Sequence, residues 1–245
     1  MTNKLPTRTE KCPIVDALIE IRFETSLFPN AVFGLIYDAI RGDYPGTVEK
    51  LPILQLPDQL REQDPGLKFK PHYKIENTEF ILQIGPDVLT ISTKMPYPGW
   101  KKFESHVFYI LSKIIEKKII SRVIRIGHRY INFFPGNIFS SLNIEFSMCK
   151  GDYKPLGTII YTETKDGEFV NTLQLSNNAT SEKDKAITFG TVIDIDTYRV
   201  FDDASFIDSY NANIDIAHIT GKKLFFSLLK DDLLNSLNPI YEDGK

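Results

Sequence analysis

Apolar and polar side chains alternate through "DALIEIRFE", Asp16 to Glu24: Ala17, Ile19, Ile21 and Phe23 fall on one side, Leu18, Glu20, Arg22 and Glu24 on the other. A strand turns successive side chains to opposite faces, so this period predicts a strand with one buried face. The period then changes. Val32, Leu35, Ile36, Ala39 and Ile40 recur at three- and four-residue steps, the stripe of a helix, which Gly42 and Pro45 end. From Thr47 to Leu67 no period is sustained and Pro52, Pro57 and Pro65 interrupt the chain. That stretch predicts an ordered connection with at most a short turn of helix, and a connection of such length invites a functional role.

Alternation resumes at Phe69, with Phe69, Tyr73 and Ile75 on one side and Lys68, Lys70, His72 and Lys74 on the other. In "ILQIGPDVLTISTKMPYPGW" the question is whether Gly85-Pro86-Asp87 grips a ligand or reverses the chain. A phosphate-cradling loop needs converging backbone N–H groups before a helix, and here a single glycine is followed by a proline that has no N–H. Phe80, Leu82 and Ile84 before it and Leu89, Ile91 and Thr93 after it predict a hairpin. Pro96-Tyr97-Pro98-Gly99 then leads into a helix with the stripe Phe103, Val107, Ile110, Leu111 and Ile114, ending near Lys117 and Lys118.

The second half reads in a similar order. "RVIRIGHRYINFF" predicts a strand, "GNIFSSLN" a short helix or turn, and "GTIIYTETKDGEFVNTLQLSNN" a hairpin about Lys165-Asp166-Gly167. "AITFGTVIDIDTYRV" predicts a further strand. A helix follows from about Asp203, with Ile214, Ala217, His218, Gly221, Phe225 and Leu228 on its stripe. The fold class expected is α+β: two tandem β-α-β-β-β-α units, residues 1–122 and 123–245, fused as one compact body. They would form a long curved antiparallel sheet with the helices packed on one face. This order resembles the TATA-binding-protein-like helix-grip fold, a topological likeness without a shared sequence motif.

Composition narrows the function classes. The 245 residues are 42% hydrophobic and 25% charged, enough for a substantial core, and the net charge of -3 lacks the overall basic excess of proteins that track along phosphates. No segment has signal-peptide character or the roughly 18 apolar residues of a membrane span. Cys12 and Cys149, far apart, fit two ordinary thiols in a reducing cytoplasm. The histidines His72, His106, His128 and His218 show no metal-ligand spacing, so neither a metal nor a cofactor is expected.

Two constellations carry candidate chemistry. Lys68, Lys70, His72 and Lys74, extended by Arg125 and Arg129 in the second half with Tyr130 as a stacking ring, would form a basic strip suited to phosphates, single-stranded nucleic acid or an acidic protein patch. A lysine-rich edge strand guarded against aggregation fits the same lysines. Glu20, Arg22 and Glu24 dilute the charge. Asp194 and Asp196, two apart in one strand, would present paired carboxylates to Mg²⁺ or to a proton transfer; the alternative is a solvated strand face, since no Lys, His or Ser is spaced to complete a reaction.

"LPDQLREQDPGLKFKPHYKIENTEFILQIGPDVLTISTKMPYPGWKKF", Leu56 to Phe103, together with "PIVDALIEIRF", "RIGHRYIN" and "DIDTYRV", resembles a sporadically distributed prokaryotic family to which no activity is assigned. The resemblance implies a cytoplasmic prokaryotic protein encoded among accessory genes of the defence or toxin-antitoxin type, and it carries over no catalytic residues. The expected function is a non-enzymatic binding protein that engages a protein partner or second subunit over the open sheet face. The alternatives are a nucleic-acid binder using the basic strip and a divalent-metal-dependent phosphoester hydrolase using Asp194 and Asp196.

Overall fold

Strand β2 (Ile14–Glu24) buries Ala17, Ile19, Ile21 and Phe23 completely while Leu18, Glu20 and Arg22 are half-buried, the predicted alternation. The computed structural model describes residues 5–147, 155–183, 186–202 and 205–241. Before β2 stands β1 (Arg8–Thr9); after it come α1 (Pro29–Ile40), β3 (Glu49–Lys50), α2 (Asp58–Gln63), β4 (Tyr73–Glu76), β5 (Phe80–Ile84), β6 (Val88–Thr93) and α3 (Trp100–Glu116). Then follow β7 (Arg122–Pro135), β8 (Ile159–Asp166), β9 (Phe169–Lys183), β10 (Ala186–Val200), α4 (Ser205–Leu228), α5 (Asp231–Ser236) and β11 (Pro239–Ile240). The protein is α+β, with nine strands in one large antiparallel sheet of order β3-β4-β5-β6-β2-β7-β10-β9-β8 and a separate β1-β11 pair. The β1-β11 pair has no counterpart in the sequence reading, because two-residue strands carry no period.

The chain divides into two compact units: Asp16–His128 with Tyr198–Ala217, and Met1–Val15 with Arg129–Thr197 and His218–Lys245. In the Asp16–His128 unit, Val32, Ile36 and Ile40 of α1 and Phe103, Val107, Ile110, Leu111 and Ile114 of α3 are buried, as the helical stripes predict. Each such side chain contributes roughly 1.5–3 kcal/mol on leaving water. Leu35 departs from the stripe and is 41% exposed.

The Gly85-Pro86-Asp87 reversal is a hairpin. Ile84 pairs with Leu89, Leu82 with Ile91, and the Gly85 N–H donates to the Val88 carbonyl at 2.9 Å. A Cβ on Gly85 would lie 2.8 Å from Val88 Cγ1 and 2.9 Å from the Lys70 carbonyl, so close approach of two backbone segments demands glycine. Gly99, with φ of 92°, turns the chain into α3 in a conformation other residues resist.

The Thr47 to Leu67 connection holds β3, a 3-10 turn at Pro52–Gln55 and α2. One expectation is corrected here: the strand does not begin at Phe69 but at Tyr73. Leu67 N–H donates to the Asp64 carbonyl and Lys70 N–H to the Leu67 carbonyl, successive turns that spend the N–H groups a ladder would need, and Pro71 has none.

In the Arg129–Thr197 unit, β8 pairs with β9 in the register Ile160 to Leu175 and Thr162 to Leu173. Leu173 and Leu175 join Phe134, Leu142, Ile193, Ile195, Leu228, Leu229 and Leu237 in its core. Thr197 Oγ1 donates to Asn171 Oδ1 at 2.7 Å inside this unit. A Cβ on Gly221 would meet Thr197 Oγ1 at 2.6 Å, so the glycine lets α4 approach the strand closely. The expected short helix after β7 is a 3-10 turn at Phe139–Ser141.

Candidate functional site

The basic strip predicted from alternation is not a strip. Because β4 starts at Tyr73, Lys68 and Lys70 stand outside the strand and do not share its spacing with His72 and Lys74. Lys74 lies 3.2 Å from Glu49 and 3.5 Å from Glu76, and these carboxylates hold its ammonium above the ordinary lysine value. Arg125 donates to Glu20 at 3.0 Å with its guanidinium 4.5 Å from the Tyr198 ring. Arg129 grips Asp194 with two bonds, Nε to Oδ1 at 2.8 Å and Nη2 to Oδ2 at 2.5 Å. Each of these three cations is matched by carboxylate, so the surface does not present their charge to phosphates.

The same contacts decide the Asp194 and Asp196 pair. Asp194 is 9% exposed and both its oxygens accept from Arg129, whereas Asp196 is half-buried. An Arg held in this way neutralises the carboxylate that a divalent cation would need. Among the described residues, no cluster of three or more His, Cys, Asp or Glu side chains is placed to hold a metal ion.

The structure gathers Lys68 and His72 elsewhere. Both line a cavity of about 390 Å³ in the Asp16–His128 unit, with Phe28, Pro29 and Asn30 at the start of α1, Asp58 and Arg61 of α2, Leu67, and Pro86 and Asp87 of the hairpin turn. A second space of about 40 Å³ is bounded by Arg61, His72, Tyr73, Phe33, Leu54 and the Pro29–Asn30 and Gly85–Pro86 segments. Arg61 borders both. Burial, and then the charge of Arg61, lower the His72 imidazole below its ordinary value, while burial raises the Asp87 carboxyl.

Arg61 was not singled out from sequence. The signal present is Asp58 and Arg61, three apart after Pro57, a helix-start pattern with an acid-base pair. It predicts α2 but not what α2 faces.

The other three histidines are accounted for by packing. His106 Nε2 lies 2.6 Å from the Tyr44 hydroxyl and its ring stacks 3.8 Å from Phe80; burial brings its value down to about 4. His128 packs 5.1 Å from Trp100, and burial holds it near 3. His218 Nδ1 lies 3.2 Å from the Tyr130 hydroxyl. His72, His106 and His128 are held toward the neutral form. Cys12 is an exposed thiol, and Cys149 lies outside the described residues.

At the far end of the sheet order, β8 is the terminal strand, and seven of its eight residues are exposed, Ile160 alone being half-buried. Ile159 is 71% and Tyr161 64% exposed. Its second half carries Glu163, Lys165 and Asp166, whereas an uncharged terminal segment such as Ile159 to Thr162 offers backbone N–H and C=O groups for pairing with another chain. No helix among the described residues is long and apolar enough to cross a membrane. No known protein family and no curated protein matches the sequence.

Proposed function

We propose that the protein is a non-enzymatic binding protein that pairs with a second subunit through strand β8. One observation carries this: β8 ends the nine-stranded order and is exposed along nearly its whole length. Its first half, Ile159 to Thr162, has no charge and high strand preference, and lacks the lysine, proline or bulge that usually blunts an edge. Pairing β8 with itself antiparallel, Thr162 opposite Thr162, sets Tyr161 opposite Glu163 and Ile159 opposite Lys165, so no like charges face each other. The two-fold contact closes on itself and makes a dimer.

The reading extends to the architecture. The order strand, helix, three strands, helix from β2 to α3, and strand, 3-10 turn, three strands, helix from β7 to α4, supports a twice-used path of the helix-grip kind with its helices on one face. Segments resembling a prokaryotic accessory family support a cytoplasmic role in a defence or toxin-antitoxin locus. The nucleic-acid reading is disfavoured by carboxylates on Lys74, Arg125 and Arg129, and the hydrolase reading by the Arg129 grip on Asp194.

Light scattering on the purified chain tests the pairing. The expected mass is that of a dimer, and Thr162→Asp, which sets two carboxylates face to face across the two-fold axis, returns it to a monomer with unchanged circular dichroism. A wild-type monomer at every concentration, or a dimer indifferent to Thr162→Asp, overturns the proposal.

A further inference from the structure

The Arg61 cavity is independent of strand β8. The Arg61 side chain is 13% exposed, its Nη2 is hydrogen-bonded to the Asp58 carboxylate, and its Nε and Nη1 are buried without a hydrogen-bond partner. Charged donors left unpaired in a protein wall are costly, and native structures rarely keep them without an acceptor to meet them. Next to this guanidinium the cavity gathers Lys68, His72 and the first turn of α1. That twelve-residue helix starts at Pro29, and Phe28 before it supplies no side-chain cap; Pro29 has no N–H and the Ala31 N–H donates to the Phe28 carbonyl, so the positive end of α1 faces the cavity at Asn30.

Two carboxylates, Asp58 and Asp87, share the space with Arg61 and Lys68. Asp58, its side chain 77% exposed, is engaged with Nη2 of Arg61. Asp87 is buried enough to have its carboxyl raised, with Glu24 adding to that and Lys68 opposing it. The remaining lining is apolar: Leu67, Pro29, Pro86 and Phe28, whose ring is 85% exposed at the rim. A volume of about 390 Å³ is that of a small-molecule site.

We propose that this cavity binds a small phosphorylated compound, its phosphoryl oxygens meeting Arg61, His72 and the start of α1 and its apolar part lying against Phe28. Phosphate fits better than a carboxylate because its several oxygens and double charge can meet donors on separate walls, Arg61 from α2 and Lys68 from the turn before β4. The exposed aromatic ring marks the direction in which the organic part leaves the charged end.

Thermal unfolding and isothermal titration of the whole chain, with inorganic phosphate, phenyl phosphate and acetate as probes, test this. Phosphate is expected to raise the melting temperature, phenyl phosphate to bind more tightly than phosphate, and acetate to do neither. Arg61→Gln weakens phosphate at least about tenfold, as loss of a charged hydrogen bond does. Phe28→Ala removes only the advantage of phenyl phosphate. Should Arg61→Gln fail to fold, Lys68→Glu probes the same cavity from an exposed position and is expected to weaken phosphate likewise. No response of the wild type to either phosphate probe at about 10 mM, ten times a dissociation constant of about 1 mM, overturns the proposal. So does equal binding by Arg61→Gln and Lys68→Glu, or an acetate response matching that of phosphate.

Discussion

The two units use strands and helices in different proportions. In the Asp16–His128 unit, β5 and β6 have five and six residues, about 17–20 Å of strand, beside α1 and α3 of twelve and seventeen residues, about 18 and 26 Å of helix. Helices as long as the strands can cover them, and Ile19, Ile36, Leu82 and Phe103 are wholly buried. In the Arg129–Thr197 unit, β9 has fifteen residues, about 50 Å, and the part of β10 in that unit, 186–197, about 41 Å, while the part of α4 in that unit, from His218 to Leu228, spans about 16 Å. The strands outrun their cover, and Ile159, Tyr161, Ile187 and Phe189 stay 64–71% exposed. Closure thus depends on matching element lengths, not on apolar content alone.

Truncation separates the units most sharply. Phe103→Ala, at a wholly buried site, is expected to cost about 3–5 kcal/mol in urea unfolding, whereas Tyr161→Ala in β8 changes stability by less than about 0.5 kcal/mol. Comparable losses at the two positions would erase the contrast. Gly85→Ala comes next: its methyl group meets Val88 and the Lys70 carbonyl, and a cost of about 1–3 kcal/mol is expected from the same assay.

In the Arg129–Thr197 unit the comparison can be sharpened with Arg129→Met. It strips Asp194 of its guanidinium partner, and a loss of about 1–3 kcal/mol is expected in the urea midpoint. An unchanged midpoint would show that solvent replaces Arg129 at no cost.

The Asp16–His128 unit carries a pH-dependent pair joining α3 to α4. Burial first, then the hydrogen bond and charge of Asp215, push the Glu104 carboxyl from 4.5 up to about 7. The fold therefore binds a proton that the unfolded chain releases, and stability from this group declines as pH rises from about 4.5 to about 7. Glu104→Gln is expected to gain stability relative to wild type at pH 8, on the order of 1 kcal/mol after solvent screening, and to match it near pH 4. Thermal melts at the two values would refute this if the difference did not change with pH. Lys74→Ala is expected to cost less than about 1 kcal/mol in the same melts, because its ion pairs lie at the surface.

Much of the architecture was legible where a periodic segment met a consistent terminator. Ile19 and Phe23, Val32 and Ile36, and Phe103 and Val107 were readable as buried because spacing alone assigns them to one face of a strand or helix. The strand start was misread at Phe69 because side-chain alternation says nothing about where backbone N–H groups go, and the turns at Asp64–Lys70 had already used them. Candidate sites were read less well. Lys74, Arg125, Arg129 and Asp194 were recognised as charged, but apart from Glu76 beside Lys74 their partners Glu49, Glu20 and each other lie many residues away and no local pattern links them.

Local order came from the chain itself: the period of Asp16 to Glu24, the reversal at Gly85 and the stripe of α3 follow from side-chain geometry within a few residues, which no distant contact need supply. Which charges are neutralised, which strand ends the sheet and which residues wall the Arg61 cavity were decided only by the tertiary structure. Those properties depend on distances between residues far apart in sequence, and Coulomb attraction and burial act through space, whatever the separation along the chain.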